Sequence, residues 1–222
     1  MFQLRNKQFN LQYISIENIK IMDIAIGICL GLGLAASCGF RVFVPLLISN
    51  IASLLGIVHI GGGFEWMASW PAFAIFLTAT IAEIGAYYIP VLDNALDTIS
   101  VPLAAVAGTL LSVTFITDVP PMVQWTLGII VGGGSAAVIK SGASMARLKS
   151  TAFTAGWANW IVATFEHVTS FIMSILTVLL PIVMGVIALG VLGFFGLRLA
   201  VRRPIPKKNH DSGINPDSGI KG

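Results

Sequence analysis

Charged residues are scarce in this sequence. Asp, Glu, Lys and Arg make up only 10% of the 222 residues, whereas hydrophobic residues make up 56% and the mean hydropathy is +0.88. A chain with so little charge cannot cover a soluble domain with polar side chains. The composition therefore predicts an integral membrane protein without a soluble domain of useful size. At roughly 20 residues per span, the chain is long enough for about six spans.

Cysteines and catalytic motifs are also few. The two cysteines, Cys29 and Cys38, lie in one apolar segment, which excludes a disulfide scaffold and a metal-ligand spacing. The chain has no P-loop, no HExxH and no recognisable order of catalytic Ser, His and Asp. We therefore expect no cofactor and no enzymatic activity. A lipid-processing enzyme remains a distant alternative, because acidic and basic side chains could bind a lipid headgroup.

Basic residues cluster at the two ends and in one loop. The apolar blocks lie at 23–40, 42–57, 70–89, 102–117, 122–139, 153–169 and 171–197. Lys and Arg precede the first block, follow the last, and recur in "KSGASMARLKS", whereas "HIGGGFEWMAS" and "TDVPP" have none. Because Lys and Arg favour the cytoplasmic side, both termini should be cytoplasmic in a bacterial inner membrane. This predicts an even number of crossings, and we expect six.

A break is predicted at "SCGFRVFVP", residues 37–45. Gly39 and Pro45 favour a turn there, since proline removes a helix donor and glycine admits unusual backbone angles. Six crossings then require residues 42–57 to fold back as a re-entrant or interfacial piece. Non-helical backbone at membrane depth must be satisfied by protein or by a water-filled cavity, which predicts a cavity near Arg41.

The chain also contains an internal similarity. "GICLGLGLAASCGFR", residues 27–41, aligns with "GIIVGGGSAAVIKSG", residues 128–142, with three glycines in register. An acid and a proline follow each copy in the same order: Glu83 and Pro102, then Glu166 and Pro181. Three crossings per unit would make an inverted 3+3 repeat, as in many transporters. The alternative is that small residues recur in any packed membrane helix.

The inverted repeat predicts where the ionisable residues lie. Arg41 would end the first span on the outer side, and Lys140 with Arg147 would end the fourth on the inner side. Glu83 lies about 20 Å of helix beyond the start of its span, and Glu166 has a comparable depth. Both acids should face the bundle interior and bind a proton or cation. The alternative is a purely structural ion pair or hydrogen bond with Arg41 or Asn159.

Three further residues are candidates for the site. Asp93 and Asp97, in the predicted cytoplasmic loop after the second span, would share one face of a short helix opened after Pro90. That face could hold a cation, although a solvated acidic face at a helix start is the other interpretation. His167, beside Glu166, could relay a proton or could simply be hydrogen-bonded.

The sequence divides into three regions. Residues 1–22 form a polar segment that could lie at the membrane interface, and residues 23–200 form the helical membrane domain. This domain contains repeat one, 23–118, and repeat two, 122–200. Residues 201–222 are rich in Gly, Pro, Ser and Lys, and we expect a disordered basic tail.

Several of these stretches resemble one family. "GLGLAASCGFRVFVPLL", "IPVLDNALDTISVP" and "GGGSAAVIKSGASMAR" followed by "AGWANWIVATFEHV" resemble a bacterial group of small integral membrane proteins, domain-of-unknown-function family four-one-two-six. The resemblance covers about residues 23–200. It implies a helical membrane domain with motif positions at Arg41, Asp93, Asp97, Arg147 and Glu166. It implies no activity.

Two functional hypotheses follow. In the first, the protein is transporter-like or channel-like: Arg41 and Arg147 attract an anionic group, and Glu83 with Glu166 binds a proton or cation. In the second, it is a scaffold or a membrane-stress partner whose buried charges are structural. We expect membrane lipids and a small solute or ion as partners and no nucleic acid; a homo-oligomer is left open.

Overall fold

Helices account for all regular structure in the described part of the chain. The computed structural model describes residues 2–61, 63–86, 90–154 and 159–201. The helices are α1 Phe2–Cys38, α2 Phe43–Leu54, α3 Trp70–Ala86, α4 Pro90–Phe115, α5 Pro121–Leu127, α6 Gly134–Thr154, α7 Asn159–Leu179 and α8 Pro181–Val201. A π-helical segment, Gly128–Gly133, joins α5 to α6, and a short 3-10 turn, Glu65–Ala68, precedes α3. The predicted all-α class is confirmed.

Three helical stretches are long and apolar enough to cross a membrane. They are Lys20–Cys38, Pro121–Leu148 and Trp160–Leu179. The outward faces of the bundle carry large apolar side chains, such as Ile81 on α3 and Phe165 on α7, which are 62% and 68% exposed. Helices that are apolar on their outer faces as well as inside suit a lipid environment.

The predicted break in the first apolar run is confirmed. Helix α1 ends at Cys38 and α2 begins at Phe43. Pro45 lies in the first turn of α2, where its missing N–H removes no intrahelical hydrogen bond. At Gly39, a Cβ atom would overlap the side chain of Ile139, so glycine lets this turn approach α6 closely.

Small residues bring α1 against α4. A Cβ on Gly27 would overlap the carbonyl group of Phe115, and one on Gly31 would overlap Ser112. The Ser112 hydroxyl also donates a hydrogen bond to the Gly31 carbonyl, 3.2 Å away. As the residue number rises along α1, the residue number of its contact on α4 falls, so these two helices are antiparallel.

The rod formed by α5, the π-helical segment and α6 packs on the same helix α4. Gly128 lies against Val113, and Gly132 lies against Ser112 and the carbonyl of Gly108. The rod is therefore antiparallel to α4 and parallel to α1. The two similar glycine-rich copies thus run in the same direction on α4, whereas an inverted repeat requires opposite directions. Residues 27–41 and 128–142 are therefore not related as the inverted repeat predicts.

Helix α7 is antiparallel to α1. Gly33 lies against Thr177, whereas further along α1 the Ser37 carbonyl accepts a hydrogen bond from the Ser170 hydroxyl at 3.1 Å. As the residue number rises along α1, the residue number of its contact on α7 therefore falls.

Helix α8 is parallel to α1. Cys29 lies against Gly185, and farther along both helices Leu32 and Ala36 of α1 share a small apolar cluster with Ala188 of α8. The residue numbers of the contacts rise together along the two helices, so the end of α8 lies near the end of α1.

The chain returns through α2 toward the end of the bundle where α1 starts. Asn50 of α2 donates hydrogen bonds to the carbonyls of Met67 and Ser69, just before α3. The Gly61 N–H reaches the Thr114 carbonyl, near the end of α4, at 3.5 Å. Helix α2 has 12 residues, about 18 Å, so the loop after it completes the return.

These contacts give the direction of every main helix in the described chain. Helices α1, α3, α8 and the α5–α6 rod run one way, and α2, α4 and α7 run the other way. The path starts at one end of the bundle and finishes at the other, so it does not fit the predicted even number of crossings. The reason is that the block 42–57 and the loop after it carry the chain back. The segment 1–22 is helical from Phe2 and continuous with α1, and residues 202–222 lie outside the described part.

Candidate functional site

Arg41 lies in the turn between α1 and α2, and it is fully buried. Its Nη2 atom is 2.9 Å from Oε2 of Glu166 on α7. The same Nη2 donates a hydrogen bond to the Ala163 carbonyl at 3.2 Å, one helical turn earlier on α7. The guanidinium therefore ties the helix break to α7.

Arg147 of α6 binds the same carboxylate oxygen. Its Nη2 atom is 2.7 Å from Oε2 of Glu166, and both side chains are at least 95% buried. Arg41, Arg147 and Glu166 are called the arginine cluster below. Charge-assisted hydrogen bonds of this length are strong, and removing one partner of such a buried group is costly. The sequence analysis gave an ion pair between Glu166 and Arg41 as the alternative to a proton or cation site, and the structure contains this ion pair.

The arginine cluster corrects one expectation from the sequence. The inverted repeat would separate Arg41 from Arg147 across the membrane. Instead, both contact Glu166, because the two glycine-rich copies run in the same direction and end at the same level of the bundle.

Glu83 of α3 approaches the same turn from another side. Its Oε1 accepts a hydrogen bond from the Val42 N–H at 3.1 Å, and its Oε2 accepts one from the Phe43 N–H at 3.2 Å. These N–H groups belong to the start of α2, where a helix has unsatisfied donors and a positive dipole end. Glu83 therefore acts as a helix cap supplied by a distant segment. It is buried, with 9% exposure.

Lys140 is the residue that the sequence analysis did not include in the site. It is 2% exposed, and its Nζ is 3.5 Å from the carbonyl of Phe40, next to Arg41. The alignment of the two glycine-rich copies contained the signal, since it pairs Lys140 with Gly39. The predicted inverted repeat hid this signal, because it assigned Gly39 and Lys140 to opposite sides of the membrane.

A cavity of about 410 Å³ lies between α3 and α4 and ends at the helix break. Its polar lining residues are Glu83, Ser100 and Lys140. Its apolar lining residues are Val42, Phe43, Ala79, Ala82, Ala86, Leu96 and Leu103. An acidic and a basic residue thus line one cavity whose other walls are mostly apolar. This arrangement is typical of small-molecule sites, which combine apolar walls with a few placed polar groups.

The remaining candidate residues have different outcomes. The His167 Nδ1–H donates to the Ala163 carbonyl at 2.7 Å, the same oxygen that Arg41 reaches, so His167 belongs to the edge of the arginine cluster. Asp93 and Asp97 fall in the first turns of α4, and Asn159 begins α7, but their side chains lie outside the described residues. Among the described residues there is no group of three or more His, Cys, Asp or Glu that could hold a metal ion.

Comparison with known proteins gives a family without an assigned activity. The family model described as "Domain of unknown function (DUF4126)" matches residues 28–201. The chain therefore belongs to this family, which confirms the resemblance seen in the sequence. No curated protein and no solved structure matches the chain.

Proposed function

We propose that this protein is a small transporter-like membrane protein whose solute site is the cavity between α3 and α4. The observation that carries the proposal is that Glu83 and Lys140 both line this cavity, next to the break between α1 and α2. Ionisable groups inside a membrane domain are costly, and they commonly mark pathways for solutes, ions or protons. A broken helix beside them adds the irregular backbone that transporter sites use.

Glu83 is the proton-coupling residue in this proposal. As a carboxylate, it holds the N–H groups of Val42 and Phe43 through both of its oxygens. Protonation removes the charge that the start of α2 stabilises, and it replaces one acceptor by a hydroxyl donor. Proton binding would therefore loosen the cap on α2 and change the shape of the cavity that the same residues line.

Transport assays test this role of Glu83. Proteoliposomes carrying a pH-sensitive dye inside are given an imposed pH gradient and, in separate samples, monocarboxylates, primary amines or amino acids. We expect one of these pools to change the internal pH at least fivefold faster than in protein-free liposomes. Glu83→Gln should abolish this effect, because a glutamine keeps the shape but cannot exchange a proton.

Glu65→Gln is the matched control for this assay. Glu65 is an exposed acid in the 3-10 turn before α3, at the other end of that helix from Glu83. This variant should retain the activity. If no pool causes proton movement in the wild type, or if Glu83→Gln remains active, the transport proposal fails.

We also propose that the end of the bundle that carries "KSGASMARLKS" faces the cytoplasm. This segment and α8 hold four basic residues, Lys140, Arg147, Lys149 and Arg198, whereas the opposite end holds three, Arg5, Lys7 and Lys20, beside the acids Glu65 and Asp118. Lys and Arg favour the cytoplasmic side of a membrane. With the helix directions given above, the start of α1 then faces outward and the end of α8 faces inward.

Single-cysteine labelling tests this orientation. In a background with Cys29 and Cys38 replaced by alanine, Glu17→Cys and Asp118→Cys should both react with a membrane-impermeant maleimide in intact cells. A fluorescent protein fused to the C-terminus should fold and fluoresce in the cytoplasm. Protection of position 17 together with labelling at position 118 would instead support termini on one side.

The arginine cluster favours a second function, a structural scaffold. Glu166 bonds two arginines from different elements at 2.9 and 2.7 Å, which fastens the turn, α6 and α7 together. In a scaffold, the buried charges only hold the bundle, so no solute pool would produce flux in the wild type or in Glu83→Gln.

A further inference from the structure

We propose that the cavity between α3 and α4 is a lipid site, which takes one acyl chain of a phospholipid from the surrounding bilayer. The chain enters sideways through the outer face of α3, past Ala79 and Ala82. This inference goes beyond the proposed function, because it assigns the cavity a lipid ligand whether or not a solute is transported. In the transport proposal, the chain occupies the cavity while no solute is bound there.

The wall of the cavity is mostly apolar. Seven of its ten lining residues have apolar side chains, including Phe43 and Leu103. Its two ionisable residues already have partners within the protein. Both Glu83 oxygens accept hydrogen bonds from backbone N–H groups, and the Lys140 Nζ lies 3.5 Å from the Phe40 carbonyl. The wall therefore offers a ligand mainly aliphatic and aromatic contacts.

The cavity reaches the outer face of α3. Ala82 lines the cavity and is also exposed on the outside of the bundle. A shallow groove along the same face shares Ala79 and Ala82 with the cavity and continues to Ala74, Ile75 and Thr78. The groove and the cavity therefore meet at these two alanines, whose short side chains obstruct the passage least.

The outer face of α3 suits contact with lipid chains. Along the whole described helix, Trp70–Ala86, no exposed residue is charged, and Ile75 and Ile81 are 61% and 62% exposed. Trp70, at the start of the helix, is 71% exposed, which is typical of a membrane interface. The groove starts about 6 Å of helix beyond Trp70, and the last α3 residue of the cavity lies about 24 Å beyond it, within a hydrocarbon layer roughly 30 Å thick. Phospholipid chains therefore meet the opening.

An empty apolar cavity beside lipid is unfavourable. Atoms that line a void lose van der Waals contacts, and an apolar cavity stays dry and binds apolar molecules instead. An acyl chain restores these contacts, and a bilayer supplies such chains all around the helix. The volume of about 410 Å³ is at the small end of the range for ligand sites, so the cavity suits one chain rather than a whole phospholipid.

Photo-crosslinking in vesicles tests the inference. The full-length protein is reconstituted in phosphatidylethanolamine and phosphatidylglycerol with a small fraction of a phosphatidylcholine that carries a diazirine at the end of one chain. After illumination, mass spectrometry locates the modified residues. We expect modification of Val42 or Phe43, where the cavity meets the helix break, besides modification of the lipid-facing Phe165 on α7. Val42 is 3% exposed, so a lipid chain reaches it only through the cavity.

Two variants of α3 connect this modification to the opening. Ala82→Phe places a phenyl ring in the passage from an exposed position, so it should lower modification at the helix break at least tenfold relative to Phe165. Ile81→Phe is the matched control. Its side chain is exposed and lines neither the cavity nor the groove, so the modification should remain within twofold of the wild type. Unchanged modification of Phe165 shows that each variant is inserted in the bilayer.

Each outcome decides the inference. Modification at the helix break that Ala82→Phe removes supports it. Modification confined to outward-facing residues overturns it, as does modification at the break that persists in Ala82→Phe. A free fatty acid with the same diazirine is the second probe: if it modifies the break and the phospholipid does not, the ligand is a free amphiphile and the inference is wrong. The assay uses no solute and no pH gradient, so a failure of transport leaves a positive result intact, and transport can hold without it.

Discussion

Replacing Glu166 by alanine is expected to destabilise the bundle by about 3 to 5 kcal/mol, the usual cost of removing one partner from a buried ion pair. Glu166 is 3% exposed and is bonded to both Arg41 and Arg147. Without it, two buried guanidinium groups lose the carboxylate that bonds them. Unfolding in detergent with increasing denaturant measures the change, and loss of the folded protein during purification would be the extreme form of the same result.

A variant that removes the whole arginine cluster is the control. Arg41→Met, Glu166→Leu and Arg147→Leu together leave no isolated charge in this cluster, and replacing buried ionic groups by apolar residues is often neutral or stabilising. The triple variant should therefore be more stable than Glu166→Ala alone. If the single substitution costs less than 1 kcal/mol, the cluster does not fasten the helices.

The second large effect is expected at the contact between α4 and the α5–α6 rod. Gly132→Ala should cost about 1 to 3 kcal/mol, as overpacking of a tight contact does. A Cβ atom there would overlap the Ser112 hydroxyl and the Gly108 carbonyl, and backbone atoms cannot move aside as a flexible side chain can. The unfolding free energy in detergent is the measurement.

Gly134 provides a control two residues away. A Cβ atom at Gly134 would meet nothing within 4 Å, and its backbone is already helical. Gly134→Ala should therefore be neutral or stabilising by up to about 1 kcal/mol, since alanine has the higher helix propensity. Equal destabilisation by both substitutions would show that the glycines do not set the approach of the two helices.

The two acids that the sequence singles out have different environments. Glu166 is held by two arginines, which suits a fixed structural role. Glu83 is held only by backbone N–H groups in the described contacts, and it also lines the cavity. A carboxylate that caps a broken helix and faces a cavity can connect proton or ligand binding to a change of backbone geometry. This difference is why the proposed proton site is Glu83 rather than Glu166.

Much of the candidate site could be predicted from the sequence because charges are rare in it. Arg41, Glu83 and Glu166 stand out in apolar surroundings, and a charge in lipid must face a partner or a cavity. Arg147 was chosen only as a basic residue at the end of the fourth span, so its burial could not be predicted. Which acid would pair with which base could not be predicted, since several pairings satisfy that rule equally. Lys140 was missed because its place depends on the relative direction of α1 and α6.

The sequence alone determined the class of protein, the helical composition and the break after Cys38, because hydropathy, glycine and proline act locally along the chain. It also marked the glycines through which α1 and the α5–α6 rod approach α4. Only the tertiary structure decided that the short helix α2 returns toward the start of the bundle, which sets the direction of every later helix. A 12-residue apolar helix can lie in the interface or run back through the bundle, and its contacts with α3 and α7 select the return. Those contacts join residues far apart in the chain, so local sequence pattern carries no record of them.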